Sequence, residues 1–481
     1  MNYSIIIYII GWVLSIESVL MLLPCLTALV FRETAGFSFL ITIALCLLAG
    51  LPLVLKKPKN KLFYLREGFV ATSLSWIVLS TMGALPFWIS GSIPDPIDAL
   101  FETVSGFTTT GASILTNVEA LPRCMLIWRS FTHWIGGMGV LVFLLIILPM
   151  SGGSHMNLMK AESPGPSVNR ILPKVQSTAK VLYIIYITLT AIQVLLLSLG
   201  NIPLFDALTT AFGTAGTGGF GIKNDSIAGY SAYIQIVTTV FMILFGVNFN
   251  IYYLLLIKKV RLAFSSEEVR MYFSIIIASI LLITINITAN GYYSSFGAAL
   301  QQASFQVASI ITTTGFATAD FNLWPQFSKV ILVMLMFIGA CAGSTGGGIK
   351  ISRILIMLKT VRKELRQLLH PRSIKKIQID GKSVEHEVVR STNVYLITFI
   401  LLFAFSVLLI SLEGYDLVTS FTAVAATINN IGPGLELVGP TGNFAFFSYG
   451  SKIVLIFDML AGRLELFPLL LLFTKDTWKR F

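Results

Sequence analysis

Apolar residues run along this chain in long stretches, broken by short polar or basic segments. Stretches near span length occur at 5–30, 37–55, 68–90, 125–149, 178–199, 231–257, 271–289, 328–358, 391–412 and 446–473. A helix needs roughly 20 consecutive apolar residues to cross a bilayer. The pattern therefore predicts ten membrane-spanning helices and leaves little chain for a soluble domain.

After residue 66 the predicted spans come in pairs. Between the members of each pair lie a half-length apolar stretch and then a segment rich in Thr and Gly. Four such segments align without gaps on a glycine: FETVSGFTTTG (101–111), TTAFGTAGTGG (209–219), FQVASIITTTG (305–315) and TAVAATINNIG (422–432). The aligned glycines are separated by 108, 96 and 117 residues, the signature of an internal repeat. The first and third copies share an initial Phe, Glu102 against Gln306, Ser105 against Ser309 and the same TTTG. Asp98 and Asp206 each stand 13 residues before their glycine, which fixes the register of the looser second copy.

The apolar stretch before each glycine, such as 98–107, is too short to cross and predicts a re-entrant helix. Asp98, Asp206 and Asp416 are its predicted N-caps, where a carboxylate accepts from unpaired amides. The segment that follows predicts extended backbone, tolerated at membrane depth only where it is buried in protein or lines water. The predicted fold is an all-α polytopic membrane protein of four span–pore-helix–span repeats behind two N-terminal spans. Its boundaries are 1–65 for those spans, then repeats at 66–160, 161–265, 266–380 and 381–481.

Composition agrees with a lipid environment: 55% of residues are hydrophobic and only 12% charged, half the charged share of a typical soluble protein. The net charge of +11 is carried by alternate loops: Lys56, Lys57, Lys59, Lys61 and Arg66; Lys160, Arg170, Lys174 and Lys180; Lys258, Lys259 and Arg261. The richest run holds Lys359, Arg362, Lys363, Arg366, Arg372, Lys375 and Lys376, and Lys475, Lys479 and Arg480 lie near the end. The positive-inside rule places these loops and both termini in the cytoplasm. Bases that flank spans do not form a nucleic-acid face. Cys25, Cys46, Cys124 and Cys341 lie in or beside apolar segments with no paired spacing, which predicts buried thiols. The first apolar segment lacks a basic lead and a small-residue cleavage site and reads as a retained span.

The loops suggest chemistry. Rings of backbone carbonyls can replace the water around a dehydrated cation, and glycine at 111, 219, 315 and 432 permits the positive φ that aims successive carbonyls along one axis. Thr110, Thr217 and Thr314 offer further oxygens. No ring of Asp or Glu stands at the glycine positions, so the pattern suits a monovalent alkali cation over a divalent one.

Two more features interrupt the spans. The run GACAGSTGGGIK, 339–350, breaks the eighth. It lacks the Lys directly after the last glycine that a P-loop requires, because Ile349 intervenes. It reads instead as an unwound break able to obstruct a path below the third loop. Arg463, in the last span, is an intramembrane charge and so a functional candidate, with an ion pair to Asp458 or Glu465 as its structural alternative. Arg129 and His133 share one helical face and read as interior packing or pairing, with no third ligand for a metal.

On the motifs TTTGA (108–112), TGGF (217–220), TTTGF (312–316), NNIGPG (429–434), GSTGGGIK (343–350), HWIGGMG (133–139) and MLAGRLE (459–465), the whole chain resembles the TrkH/KtrB superfamily of potassium transporters, the TrkH branch in particular. The resemblance implies a pseudo-fourfold pore, assembled as a homodimer in the bacterial plasma membrane. It places potassium-binding filter positions at Thr110, Gly111, Gly218, Gly219, Thr314, Gly315, Ile431 and Gly432. It places a gate at Gly343, Gly346, Gly347, Gly348 and Lys350 of the intramembrane loop and at Arg463. It implies no cofactor on this chain, and a cytosolic TrkA-like regulatory partner that binds nucleotide, with 359–376 as its docking surface. Some relatives carry serine at the first filter position and pass sodium; Gly111 here favours potassium.

The alternative is a secondary transporter coupled to H⁺ or Na⁺. Such folds commonly use inverted repeats, whereas these repeats all start from one side. A membrane enzyme is disfavoured: His386-Glu387 lacks the second His of a zinc-protease motif, and Ala342 spoils a GxSxG at the glycine run.

Overall fold

The computed structural model describes residues 1–58, 64–139, 175–372 and 376–479. Lys59, Lys61, Lys160, Arg170, Lys174, Lys375, Arg480 and the second half of the 125–149 segment lie outside them. The described chain is helical apart from one two-stranded hairpin, Gln378–Ile379 with Lys382–Ser383, paired Gln378 to Ser383. Its turn is Asp380-Gly381, both at positive φ, the dipeptide preferred by tight hairpins.

Among the described residues six helices are long and apolar enough to cross a membrane: Tyr3–Phe31, Gly36–Leu55, Leu65–Ile89, Ser177–Leu199, Glu267–Ala289 and His386–Glu413. The first packs along the second and on Leu65–Ile89. The last four lead the four repeats, and each is followed by a short helix that cannot cross: Pro96–Phe107, Leu204–Ala215, Phe296–Ile311 and Leu417–Ile428. Three of them have 12 residues, about 18 Å, and Phe296–Ile311 has 16, about 24 Å, all short of the roughly 30 Å hydrocarbon core.

The predicted spans need correction at the returning helices of repeats 2, 3 and 4, which are broken. In repeat 1 the described part is Arg123–Met138, ended by Gly139 at φ 75°. Repeat 2 returns through Ala232–Phe245 and Phe249–Leu256, bent by 90°. Repeat 3 returns through Gln326–Ile338 and then Ile351–Leu369, with the glycine run between. Repeat 4 returns through Tyr449–Arg463 and Phe467–Leu471, parted by Glu465 and Leu466 at positive φ. Apolar run length does not register these breaks, because their few polar residues, such as Asn248, Ser344 and Glu465, are closely flanked by apolar text.

Two predicted caps also move. Asp416 caps its helix, accepting from Thr419 N at 2.9 Å. The first pore helix is instead capped by Asp95, which accepts from Ile97 N at 2.8 Å and Asp98 N at 3.1 Å. Its hydrogen bond from the Tyr449 hydroxyl, with smaller help from those amides, holds the Asp95 carboxyl below its ordinary range. The second pore helix starts after Pro203. Asp98 and Asp206 sit in the first turns, where negative charge still suits the helix dipole; Asp98 pairs with Lys452 at 2.5 Å and Asp206 accepts from Tyr230 at 2.9 Å.

The chain ends meet: Met1 N lies 3.4 Å from Lys479 O, and the Tyr3 hydroxyl donates to Trp478 O at 2.8 Å. Residues 1 and 479 therefore lie on one side of the molecule.

Candidate functional site: a ring of four loops

Each pore helix ends in the same way. The residue before the aligned glycine folds its amide back five residues: Thr110 to Ser105 O (2.9 Å), Gly218 to Gly213 O (2.9 Å), Thr314 to Ser309 O (2.8 Å) and Ile431 to Ala426 O (2.8 Å). The residue two before the glycine is left-handed in every copy, at Thr109, Thr217, Thr313 and Asn430 with φ 57°, 53°, 58° and 55°. The glycines follow at φ 79°, 78°, 82° and 100°. Four stretches of unlike sequence share one backbone path, and the gap-free alignment has the right register. Thr217 consequently stands level with Thr109, one step from the ring, and its hydroxyl turns to Gly216 O at 2.7 Å.

The loops close on one another. A Cβ placed on Gly111 would lie 1.9 Å from Gly218 O; on Gly219, 2.0 Å from Thr314 O; on Gly315, 2.1 Å from Ile431 O; and on Gly432, 2.8 Å from Thr110 O. Each glycine thus abuts the carbonyl of the next repeat, in the order 1, 2, 3, 4 and back to 1. All eight predicted filter residues fall on this ring. In repeats 1 and 3 the shared TTTG also repeats a hydroxyl contact, Thr108 with Thr110 and Thr312 with Thr314, both at 2.8 Å. Asn430 Nδ2 joins repeat 4 to repeat 1 through Thr110 Oγ1 at 2.9 Å.

One cavity of about 210 Å³ touches all four glycines. Among the described residues no carboxylate lines it; the charged side chains there are Arg129 and Lys223. That fits neutral carbonyl coordination and leaves no anionic cage for a divalent ion. No group of three or more His, Cys, Asp or Glu suited to a metal occurs among the described residues, and the four cysteines are free thiols.

Beneath the ring lies the glycine-rich loop. Gly347 N donates to Thr313 Oγ1 at 2.7 Å and Gly348 N to Asn429 O at 3.1 Å, so the loop is seated on the ends of the third and fourth pore helices. Its other side joins repeat 2, through Cys341 N to Gly246 O (3.1 Å) and Phe249 N to Gly343 O (3.0 Å). Gly347 has no room for a side chain, since a Cβ would stand 2.5 Å from Asn429 O.

Arg463 reaches into the same place from repeat 4. It donates to Thr345 O at 3.0 Å, Thr109 Oγ1 at 3.3 Å and Gly137 O at 3.0 Å, and to Gly136 O. The proposed pairing with Asp458 or Glu465 is therefore corrected. Asp458 accepts from Ser406 at 2.7 Å. Glu465 accepts from Lys350 at 2.9 Å and from Arg353, whose guanidinium also lies 4.0 Å over the Tyr395 ring. Turning of the chain at Glu465 and Leu466 sends Arg463 toward the ring and Glu465 away from it. Helical spacing, which assumes an unbroken helix, could not have revealed this. Lys350 thus anchors the far end of the loop and does not face the ring.

The sequence reading missed Asn430 as a tie between repeats, and it missed the Glu465 cluster. The left-handed position had one available signal: Thr, Thr, Thr and Asn recur two residues before the glycines.

Known proteins share this organisation. Residues 35–479 match the family model TrkH, described as cation transport protein. The chain is 38% identical over 485 residues to the Trk system potassium uptake protein TrkH of Salmonella typhimurium and 37% identical over 484 residues to that of Escherichia coli K12, covering 100% of each protein and of itself. Its structure matches the crystal structure of the potassium transporter TrkH from Vibrio parahaemolyticus with a TM-score of 0.88 at 35% identity over 100% of both chains. These relatives are transporters, not enzymes. With a family match over nearly its whole length and a multi-pass helical architecture, the chain belongs to the TrkH family of cation transport proteins.

Proposed function

We propose that this chain is the membrane pore of a potassium uptake system, with Thr110, Gly111, Gly218, Gly219, Thr314, Gly315, Ile431 and Gly432 as its selectivity filter. The observation that carries the reading is the closed ring of four glycines and four carbonyls, free of carboxylates, at the floor of one cavity. Its match to relatives named for potassium uptake supports the choice of ion. Potassium is the substrate, and this chain needs no cofactor of its own. The test is flux through the purified chain in liposomes, with K⁺, Rb⁺ and Na⁺ compared and no pH gradient. K⁺ and Rb⁺ should pass and Na⁺ should lag. Uptake that appears only under an imposed H⁺ or Na⁺ gradient would replace the pore with a coupled transporter.

The chain acts as a homodimer in the bacterial inner membrane with both termini in the cytoplasm, a placement supported by the meeting of the ends beside a basic segment. Its regulator is a cytosolic, TrkA-like subunit that binds the nucleotide. The docking surface is the stretch 359–376, whose first part lies on the helix Ile351–Leu369, where Arg362 and Arg366 are exposed. Lys359 is committed elsewhere, to Glu267 and to Gln378 O. Charge-driven docking should weaken with salt, since screening acts over a Debye length of about 8 Å at physiological ionic strength. Neutralising Arg362, Lys363 and Arg366 together should reduce co-purification of the partner in the same way. Full retention by this variant at high salt would move the docking surface elsewhere.

A further inference from the structure

The second loop is held from behind by a helix of the first repeat. His133, fully buried on Arg123–Met138, accepts a hydrogen bond from Phe220 N at Nε2, 3.2 Å away. An Nε2 that accepts an amide proton carries none itself, so the proton sits on Nδ1, which donates to Gly106 O at 2.7 Å. One imidazole thereby spans from the first pore helix to the residue directly after Gly219. Its ring also lies against the loop: a Cβ on Gly218 would fall 2.2 Å from Nδ1.

Arg129, one turn earlier, doubles the tie. Its Nη1 donates to Gly221 O at 3.0 Å, its Nε to Glu102 Oε1 at 2.8 Å, and its guanidinium lies 4.0 Å over the Phe220 ring. Phe220 is held between that guanidinium and the imidazole, whose centroid is 4.3 Å from its own. Repeat 2 carries glycine where repeats 1 and 3 carry Thr110 and Thr314, and therefore lacks the hydroxyl contact that stiffens those two. The imidazole supplies from outside what the loop lacks within.

We infer that His133, with Arg129, is a positioning residue that fixes the second quarter of the filter and so sets the discrimination between K⁺ and Na⁺. The inference rests on the reading of the ring as a potassium filter. It goes beyond that reading by assigning selectivity to a side chain that never meets the ion.

The test compares His133→Met, His133→Leu and His133→Gln in proteoliposomes. A carboxamide offers one donor and one acceptor, as the imidazole does, whereas Met and Leu fill space only. The K⁺/Na⁺ flux ratio should fall by about threefold to tenfold in the apolar variants, the range set by losing one net hydrogen bond. In His133→Gln it should return to within about twofold of wild type. Equal ratios in folded apolar variants and wild type would overturn the inference while leaving the filter reading intact. A wild-type protein that does not select K⁺ would instead remove the filter reading. Should the apolar variants fail to fold, ¹⁵N shifts of His133 in the wild-type protein decide: a proton on Nδ1 alone supports the tie, and a proton on Nε2 overturns it.

Discussion

Replacing Gly111 by serine should raise sodium permeation relative to potassium by about tenfold, the equivalent of about 1.4 kcal/mol in relative ion preference. The argument is steric before it is conformational. The new Cβ would lie 1.9 Å from Gly218 O, far inside contact distance, and interiors this dense transmit such a displacement to their neighbours. The atom that must yield is a carbonyl oxygen of the ring itself. In addition, the left-handed backbone at Gly111 (φ 79°) costs an L-residue about 1–2 kcal/mol. Moving one carbonyl by even part of an ångström enlarges the site, and a site shaped for a larger ion then discriminates less against a smaller, more strongly hydrated one. The structure adds a ranking that the sequence could not. Gly219 and Gly315 face carbonyls at 2.0 and 2.1 Å, but Gly432 faces Thr110 O at 2.8 Å. Serine at 219 or 315 should therefore behave like serine at 111, and serine at 432 should be the mildest of the four. Relative Rb⁺ and Na⁺ uptake by each purified variant measures this directly. Unchanged discrimination in a folded Gly111→Ser protein would take Gly111 out of the filter.

The ring was legible in the sequence because its cause is local. A left-handed step followed by a glycine, at the end of a helix too short to cross, leaves Thr/Gly-rich text at a fixed offset, and four copies make chance untenable. The broken returning helices were less legible. Only the repeat 3 break carries glycines enough to announce itself; the turn at 246–248 lies in text apolar enough to pass as one span, and the turn at Glu465–Leu466 is set among apolar residues. The partners of Arg463 were illegible for that reason, since they depend on the direction the chain takes after a break. The caps were missed by a few residues because Asp95 and Asp98 look alike in sequence. Pro96, which favours the first helical position, was the signal separating them. His133 was placed correctly in the interior, but its two hydrogen-bond partners come from a repeat 87 residues away and from a pore helix 27 residues away, and no local pattern carries that.

We propose that the glycine-rich loop, with Arg463, closes the path beneath the ring; removing it should then have the opposite effect from damaging the ring: more flux. We expect deletion of Ser344–Gly348 to raise flux in the absence of any partner by about tenfold or more, and Arg463→Ala to raise it less. Three observations bear on the size. The loop is seated directly under the third and fourth loops of the ring through Gly347 and Gly348. Arg463 crosses from repeat 4 to Gly136, Gly137 and Thr109 of repeat 1 while holding Thr345 O of the loop. Glu465, the nearest acid in sequence, is committed to Lys350 and Arg353, and Asp458 is tied to Ser406, so neither carboxylate forms a direct pair with the arginine in this structure. Two unit charges 4 Å apart interact by about 4 kcal/mol at an effective dielectric near 20, an upper guide to the barrier that a fixed guanidinium sets before a passing cation. Deletion of the loop takes away both the proposed plug and one acceptor of Arg463, Thr345 O, which is why its effect should be larger. Arg463→Lys separates charge from shape: it keeps the charge but cannot serve four acceptors with a planar fork. A lysine variant as closed as wild type would assign the barrier to charge, and one as open as alanine would assign it to the bridge between repeats 4, 3 and 1. If the deletion or Arg463→Ala abolishes flux in a folded, dimeric protein, the loop and its arginine support the pore instead of closing it.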